Sequence, residues 1–334
     1  MSSLMLEEAL GAAQAVATQP ARIERVLREL ARELIAQPPK LALTVARGSS
    51  DHAANFFAYL VMRRLGLPVV SLPMSLVTLH KAPLAVSGQL AVALSQSGRS
   101  YDLVDTMAAL RAADAKTVGL INQTDSPLSK HCEWVVPLCA GLEESVAATK
   151  SYIAALSAIA RLVAHWGSDV DLLEALARLP DRLEKAAHVP VSIAVDTLLW
   201  SDSAMVVGRG LGFAVALEAA LKLKETTGLW AEGFSSADLR HGPKTAAAGL
   251  PALVFHGGGP LGGDVDEMAA ELRERGGRVV SFGPGREVPS PAVSEELAAF
   301  PLVVGAQLLA ERLATLRGRD PDRPPGLTKV TRTH

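Results

Sequence analysis

The fold is decided by the segment Leu90 to Ser100, which reads LAVALSQSGRS. Its first five residues form an apolar run of strand length, and small hydroxyl residues follow before a helical stretch begins at about Tyr101. Open parallel sheets bind ligands at the carboxyl ends of their strands, where a helix N-terminus offers unpaired N–H groups and a positive dipole. The segment therefore predicts a parallel α/β sheet with a loop suited to a phosphate monoester. A plain turn, with Ser100 as the N-cap of the helix, is the alternative.

An internal repeat bears on that choice. The residues Val45 to Gly48, VARG, recur 162 positions later as Val207 to Gly210, VGRG, and the pair Gly66-Leu67 recurs as Gly228-Leu229. The repeat places the serine loop in correspondence with residues 256–260, HGGGP, which contain no serine. Shared turns without shared hydroxyl groups indicate two diverged copies of one unit, of which only the first binds phosphate.

Both copies alternate short apolar strands with helices, which favours parallel sheets covered on both faces. In the first copy we predict strands at 41–46, 69–70, 90–94, 117–121 and 134–138, with helices at 51–64 and 101–113. In the second copy we predict strands at 204–207, 252–255 and 279–282, with helices at 214–224 and 265–274. The predicted fold class is α/β, with two tandem three-layer αβα units, N-terminal helices and an irregular C-terminal tail. The predicted domains are N-terminal helices at 1–34, split at Gln19-Pro20, a first unit at 35–166, a helical linker at 167–195, a second unit at 196–317 and the tail at 318–334.

Composition sets the class of protein. The 334 residues indicate about two domains, and a hydrophobic content of 49% provides for large buried cores. The balance of 33 basic against 35 acidic residues gives no sign of nucleic acid binding. Cys132 and Cys139 are too few for a disulfide scaffold or a cysteine-based zinc site, and Glu7 and Glu8 stand where a signal peptide would carry basic residues. We expect a cytoplasmic protein without a metal, a nucleic acid partner or a membrane span.

Three further features can each be interpreted either as part of a catalytic site or as purely structural. Glu218, Lys222 and Glu225 share one helix face at i, i+4 and i+7, which suits either a surface ion pair or a base beside a ligand. His241, which Gly-Pro follows, is either structural or a proton shuttle. Lys329 lies in a Pro-rich tail at 320–334 that is also typical of a disordered end. The patterns alone leave each choice open.

Taken together, these segments resemble the tandem SIS (sugar isomerase) fold, in particular the isomerase half of glucosamine-6-phosphate synthase and its stand-alone deaminase relatives. The resemblance covers nearly the whole chain in five ordered segments: 95–98, 145–150, 216–225, 239–243 and 327–331, which read SQSG, SVAATK, ALEAALKLKE, LRHGP and LTKVT. It implies two SIS-type units, and a homodimer in which His241 reaches the site of the neighbouring subunit.

The resemblance also implies a role for each matching residue. Glu225 corresponds to the base that moves a proton between C1 and C2, His241 to the ring-opening acid and base, and Lys329 to a lysine that can form a Schiff base with the ketose carbonyl. Glu218 and Lys222 correspond to a supporting pair near the site. The resemblance implies that the sugar phosphate is held by Ser49, Ser50, Ser95, Gln96, Ser97 and Ser100, and that the sugar pocket is lined by Gly48, Val146 and Ala147.

Two departures shape the expected reaction. Arg99 stands where the synthase usually has an acidic residue and Ser100 where it has Thr, so we expect added positive charge beside the phosphate. The chain begins Met1-Ser2-Ser3 and has no room for the synthase's N-terminal glutaminase, so we expect no use of glutamine. The expected reaction converts glucosamine 6-phosphate to fructose 6-phosphate and ammonia, with no organic cofactor or metal. An aldose–ketose phosphosugar isomerase, a deglycase for sugar-phosphate amines and, as a different class, a non-catalytic phosphosugar sensor remain alternatives.

Overall fold

The structure, a computed structural model, describes residues 2–242, 245 and 247–329. Pro243, Val330 and Thr331 of the quoted motifs lie outside the described residues. The chain folds into two compact units. The first unit comprises Gln14–Leu142, Ser151–Ala177 and the described residues from Thr328 on; the second comprises the described residues up to Ala13, Glu143–Lys150 and Arg178–Leu327. The units are not continuous in sequence, and the predicted domain boundaries stay a prediction.

The helices and strands follow the predicted pattern, with several additions. The helices are α1 (Leu4–Leu10), α2 (Ala12–Thr18), α3 (Pro20–Ala36), α4 (Ser49–Leu65), α5 (Ser75–Thr78), α6 (Tyr101–Ala112), α7 (Lys150–Trp166), α8 (Val170–Ala177), α9 (Leu179–Ala186), α10 (Ser192–Leu198), α11 (Leu211–Lys222), α12 (Ser236–Arg240), α13 (Gly262–Glu274) and α14 (Ala299–Leu316). The strands are β1 (Ala42–Val45), β2 (Val69–Ser71), β3 (Leu90–Ser95), β4 (Lys116–Ile121), β5 (Trp134–Pro137), β6 (Ser203–Gly208), β7 (Trp230–Ser235), β8 (Ala252–Phe255), β9 (Val279–Gly283) and β10 (Val288–Pro289). Every predicted strand and helix of the two copies is present.

Each unit holds, within the described residues, one five-stranded sheet whose paired strands are all parallel. The first sheet has the order β2-β1-β3-β4-β5; the second has the order β10-β9-β8-β6-β7, which corresponds strand for strand when it is read from its other end. The glycines that follow β1 and β6 have nearly the same backbone angles, φ 54° and ψ −134° at Gly48 and φ 56° and ψ −128° at Gly210. Positive φ favours glycine at both positions. The predicted α/β class with parallel sheets is confirmed.

Strand β3 lies in the middle of the first sheet, and all six of its residues are buried. A parallel sheet that is covered on both faces needs such a continuous apolar strand. Leu103, Met107 and Leu110 of α6 belong to the same buried cluster as Leu43 of β1 and Ala91 of β3. This packing fixes the N-terminal end of α6 beside the carboxyl end of β3.

The N-terminal helices break at the predicted Gln19-Pro20 step, but a further break at Gly11 makes three helices instead of two. The fully buried Gln19 side chain donates hydrogen bonds from Nε2 to the backbone oxygens of Leu138 and Ala154, at 2.8 and 2.9 Å. A buried amide satisfied in this way fixes the break between α2 and α3 against the chain that follows β5 and against α7.

Among the described residues, one helical stretch has the length and composition of a membrane span. It runs from Glu295 to Leu316 with a mean hydropathy of 1.4 over its most apolar window. Within the protein, 89% of that window is buried, and α14 packs against α1, α9, α10 and α11. These features are typical of the core helix of a globular unit.

The two cysteines are both free thiols. Burial raises the pKa of Cys132 to about 12, so about one thiol in 10⁴ is ionised at pH 8. We therefore expect iodoacetamide at pH 8 to modify Cys132 about a thousandfold more slowly in the native protein than in urea. Peptide mass spectrometry of timed samples measures both rates. Equal rates in the two conditions would show that the Cys132 thiol is not buried in solution.

Candidate active site

A cavity of about 250 Å³ lies at the carboxyl ends of β1 and β3 in the first unit. The strand order makes β1 and β3 neighbours, so the loop after β1 faces the serine loop that joins β3 to α6. We call this cavity the cradle. It is lined by Arg47, Gly48, Ser50, Leu94, Ser95, Gln96, Ser97, Ser100, Leu103 and Lys329. Seven of the predicted site residues therefore meet here, while Ser49, the first residue of α4, is not among the lining residues.

Hydrogen bonds within the serine loop stabilise its conformation. The Ser95 hydroxyl accepts the N–H of Gly98 at 2.9 Å, and the Ser97 hydroxyl accepts the N–H of Arg99 at 3.3 Å. A hydroxyl group that accepts a bond still carries a proton that it can donate to a ligand. At Gly98, φ is +63° and an added Cβ would lie 2.7 Å from the Cβ of Ser126, so the turn requires glycine.

Two side chains of the loop have polar groups that the described residues do not use. The Nε2 of Gln96 is buried and has no hydrogen-bond partner among the described residues. Ser100 occupies the N-cap position of α6, yet its side chain makes no capping hydrogen bond. The plain-turn alternative predicts that bond. The absence of this capping bond among the described residues leaves the Ser100 hydroxyl available to a ligand.

The positive charge of the cradle differs from the expectation. Arg99 is exposed, its guanidinium donates to the backbone oxygen of Asp125 at 3.3 Å, and it is not among the lining residues. The left-handed turn at Gly98 precedes it and leaves its side chain at the surface. The expectation that Arg99 supplies charge beside the phosphate is wrong. Arg47 and Lys329 are the cationic residues that line the cradle.

In the second unit, the charged residues of α11 form a buried cluster. Glu218 and Lys222 are each only 1% exposed, so the interpretation of these residues as a solvated surface pair is wrong. The Lys222 Nζ lies 3.6 Å from Glu218 Oε1 and 2.5 Å from Glu225 Oε2. Burial by itself would lower the pKa of Lys222, but the charges of Glu218 and Glu225 outweigh it and the pKa is raised. Lys222 is therefore a buried ammonium group at neutral pH.

Glu225 lies in a π-helical turn, Leu223–Thr227, that continues α11. The hydroxyls of Thr226 and Thr227 donate to the carbonyl oxygens of Lys222 and Leu223, four residues back, at 2.8 and 2.6 Å. Turns of this kind often occur at functional sites. Glu225 is 23% exposed, so of the three predicted residues it is the one that reaches the surface of its unit.

The loop Glu143–Lys150 lies in the same unit and adds a third carboxylate to the cluster. Glu143 is buried, and its Oε1 accepts the N–H of Thr149 at 3.0 Å. Its charge also contributes to the raised pKa of Lys222. Glu143 was not predicted as a site residue, because only the fold brings it near α11. Val146 is half-buried and Ala147 is buried in this loop, and their role in a sugar pocket stays a prediction.

His241 follows α12 and is exposed. The preceding Arg240 anchors this end of α12 to α13, since its guanidinium contacts the carboxylates of Asp264, Glu267 and Glu271. The Arg240 contact to Asp264 is the closest of the three. The predicted contribution of His241 to the active site of a neighbouring subunit involves a partner chain, so it stays a prediction.

The second unit has a different arrangement where the first has its serine loop. A cavity of about 80 Å³ there is lined by His256, the three glycines that follow and Glu295, among others. Burial and the nearby Arg286 lower the pKa of His256 to about 4, so the ring is neutral at pH 7. Among the described residues that line this cavity, Glu295 is acidic and none is lysine or arginine, so the cavity is poorly suited to phosphate. That only the first copy binds phosphate stays a prediction. Among the described residues, no group of three His, Cys, Asp or Glu side chains could hold a metal ion.

Comparison with known proteins places these features among phosphosugar enzymes. Residues 35–164 match the SIS domain family. One similar crystal structure is that of a Silicibacter pomeroyi DSS-3 protein, provisionally assigned as a phosphosugar isomerase. It is 33% identical to this chain and covers 96% of this chain and 100% of that one. The two structures superpose with a TM-score of 0.90. The glutamine–fructose-6-phosphate aminotransferase (isomerizing) of Methanothermobacter thermautotrophicus is 33% identical over 301 residues, 85% of this chain and 50% of that protein.

A third relative agrees in fold. The glucosamine-6-phosphate deaminase of Thermotoga maritima has a TM-score of 0.76 at 23% identity and covers 96% of this chain and 99% of that one. The chain spans about half the length of the curated relatives that it matches.

Proposed function

Because the chain belongs to the SIS-domain family of phosphosugar isomerase-type proteins, we propose that it converts glucosamine 6-phosphate and water to fructose 6-phosphate and ammonia. We include in the proposal that the second sheet is a second SIS-type unit, since its strand order repeats that of the first. The observation that carries the proposal is the buried ammonium of Lys222, which holds the partly exposed carboxylate of Glu225. A fixed carboxylate at a π turn suits a proton-transfer base.

The phosphate of the substrate binds in the cradle. The hydroxyls of Ser95, Ser97 and Ser100, the free Nε2 of Gln96 and the N-terminus of α6 are all donors for one anionic group. The volume of about 250 Å³ suits a small polar ligand. The phosphate fixes one end of the sugar.

The chemistry follows from proton transfer on the open-chain sugar. Once His241 has opened the ring, Glu225 takes the proton from C2 of the aldehyde while O1 gains a proton, which gives an enolamine. Glu225 then returns a proton to C1, and the amine nitrogen loses one proton, which balances the proton gained by O1. The product is an imine at C2 with CH₂OH at C1. Water adds to the imine carbon, the C–N bond breaks, and ammonia leaves as the C2 ketone forms. Lys329, which lines the cradle, is the amine proposed to form a Schiff base with this ketone. One water leaves as the C=N bond forms, and addition of water hydrolyses the Schiff base and releases fructose 6-phosphate.

Ammonia release tests the proposal. Purified protein is incubated with glucosamine 6-phosphate, with N-acetylglucosamine 6-phosphate and with glucosamine, and ammonia and ketose are measured separately. We expect equimolar ammonia and fructose 6-phosphate from the first compound alone, since the second has no free amine and the third has no phosphate. The matched control is the Glu225→Gln protein.

Two results would replace the proposal with an alternative. Conversion of a simple aldose phosphate to a ketose phosphate, without ammonia from any amino sugar, would identify an isomerase. Tight binding of hexose phosphates without turnover of any compound would identify a sensor. The name of one relative, an isomerizing aminotransferase at 33% identity, supports the amino sugar, while the name of the Silicibacter pomeroyi protein supports the isomerase alternative.

A further inference from the structure

We propose that Arg47 binds the substrate phosphate in the cradle and that Asp102 positions it, on the evidence of the 3.0 Å contact between Arg47 Nε and Asp102 Oδ2 at the wall of the cavity. The inference deepens the proposed function, since it names the cationic contact of the same site. It does not depend on which phosphosugar is the substrate.

The contact orients the guanidinium. Asp102 lies in the first turn of α6 and is 5% exposed, and its other carboxylate oxygen accepts the N–H of Leu103 at 3.0 Å. The carboxylate is therefore fixed, and it occupies only the Nε edge of Arg47. The two Nη groups of Arg47 have no hydrogen-bond partner among the described residues, while the side chain lines the cradle and is 56% exposed. A guanidinium held in this way presents a pair of parallel donors, which match two phosphate oxygens.

The second unit provides an internal comparison. Arg209 and Asp264 stand 162 positions after Arg47 and Asp102, and they also form a pair, with Nε and Oδ2 3.9 Å apart. There the Nη1 of Arg209 donates to the Ser235 hydroxyl at 3.0 Å. The Asp264 carboxylate also accepts hydrogen bonds from the Ser236 hydroxyl and the Arg240 guanidinium. In the unit that lacks a serine loop, one Nη group of the arginine is thus bound to the protein itself. In the unit that has the serine loop, the arginine keeps two donors for a ligand.

A cation on the cavity wall also suits the charge of a phosphate ligand. A phosphate monoester carries nearly two negative charges at pH 7, and hydroxyl and amide donors alone do not neutralise them. Arg99 points away, so Arg47 and Lys329 are the charged groups on the cavity wall. The amine of Lys329 is used for the carbonyl in the proposed reaction, which leaves Arg47 for the phosphate.

Calorimetric titration with sorbitol 6-phosphate, which has no carbonyl to react, and with sorbitol tests this inference. We expect Arg47→Ala to weaken binding of sorbitol 6-phosphate about 10- to 100-fold, as loss of a charged hydrogen-bonding group does, and Arg47→Lys to weaken it less. Asp102→Asn should weaken binding several-fold in the wild-type background and have no further effect in Arg47→Ala, because a positioning residue acts through the residue that it holds. Arg209→Ala, the matched control, should bind like the wild type.

Several results would overturn the inference. Affinity of Arg47→Ala within twofold of the wild type would do so, and additive effects of Asp102→Asn and Arg47→Ala would show that Asp102 has only a structural role. Failure of the wild-type protein to bind sorbitol 6-phosphate more tightly than sorbitol would remove the phosphate site itself. If the protein releases no ammonia but Arg47→Ala loses phosphate affinity, the proposed reaction fails and this inference stands.

Discussion

Replacement of Glu225 by glutamine is expected to lower kcat for ammonia release by about 10²–10⁴-fold, the contribution typical of a positioned general base. Glutamine keeps the size and a hydrogen-bond acceptor for the Lys222 ammonium, but it cannot take a proton from C2. The KM for glucosamine 6-phosphate should change little, because the proposed phosphate contacts lie on other residues. Steady-state kinetics with a coupled ammonia assay measures both constants.

The matched control is Glu232→Gln, which makes the same change at an exposed residue of β7 in the same unit. It should keep wild-type kinetics. Thermal unfolding of both variants checks that the fold is intact. If Glu225→Gln released ammonia at half the wild-type rate or more, Glu225 would not be the base.

Replacement of Lys222 by methionine is expected to lower the free energy of unfolding by about 3–5 kcal/mol, the cost of removing one partner of a buried ion pair. Glu218 is 1% exposed and would keep a buried negative charge without its ammonium partner. The double variant Glu218→Gln/Lys222→Met should recover part of the loss, because Glu218 is then neutral while Glu225 and Glu143 keep their charges. Urea denaturation of the three proteins gives the comparison.

The pH dependence of stability gives a second readout for the same cluster. The folded-state pKa of Lys222 is raised above its ordinary value of 10.5, so the native protein binds this proton more tightly than the unfolded chain does. The stabilisation is complete below pH 10.5 and is lost as pH rises through the folded pKa. We expect a steeper alkaline loss of stability in the wild type than in the double variant. Parallel curves, together with less than about 1 kcal/mol lost in Lys222→Met, would contradict a buried ion pair.

Much of the fold could be predicted because its signals are local. The apolar strands stand out by length and by the glycines that end them, and the offset of 162 places Gly48 and Gly210 in the same conformation. Strand β7 was not predicted, because Glu232 and Gly233 interrupt its apolar pattern. In the structure, pairing with β6 stabilises this strand. The π turn is equally hard to predict, because it depends on hydrogen bonds that the sequence of α11 does not specify.

In the candidate site, too, features with a local sequence signal could be predicted and features that depend on the fold could not. The serine loop and Lys329 were identified by motif, and the structure brings them to one cavity. Glu143 was missed because its partners are distant in sequence. The Arg47–Asp102 pair carried a usable signal, since both residues recur at the offset of 162, but that signal has meaning only once β1 and α6 are neighbours in the fold. A motif therefore identified donors on one loop, and it could not identify the charge that faces them from another.

The central claim is that phosphate binding in the cradle and proton transfer by Glu225 serve one substrate. Deuterium incorporation at C1 of fructose 6-phosphate, followed by NMR during turnover of glucosamine 6-phosphate in D₂O, measures this most directly. We predict incorporation by the wild type, none above background with Glu225→Gln, and none when glucosamine without phosphate is supplied. Incorporation by Glu225→Gln at the wild-type rate, or equal incorporation from glucosamine and its phosphate, would contradict the claim.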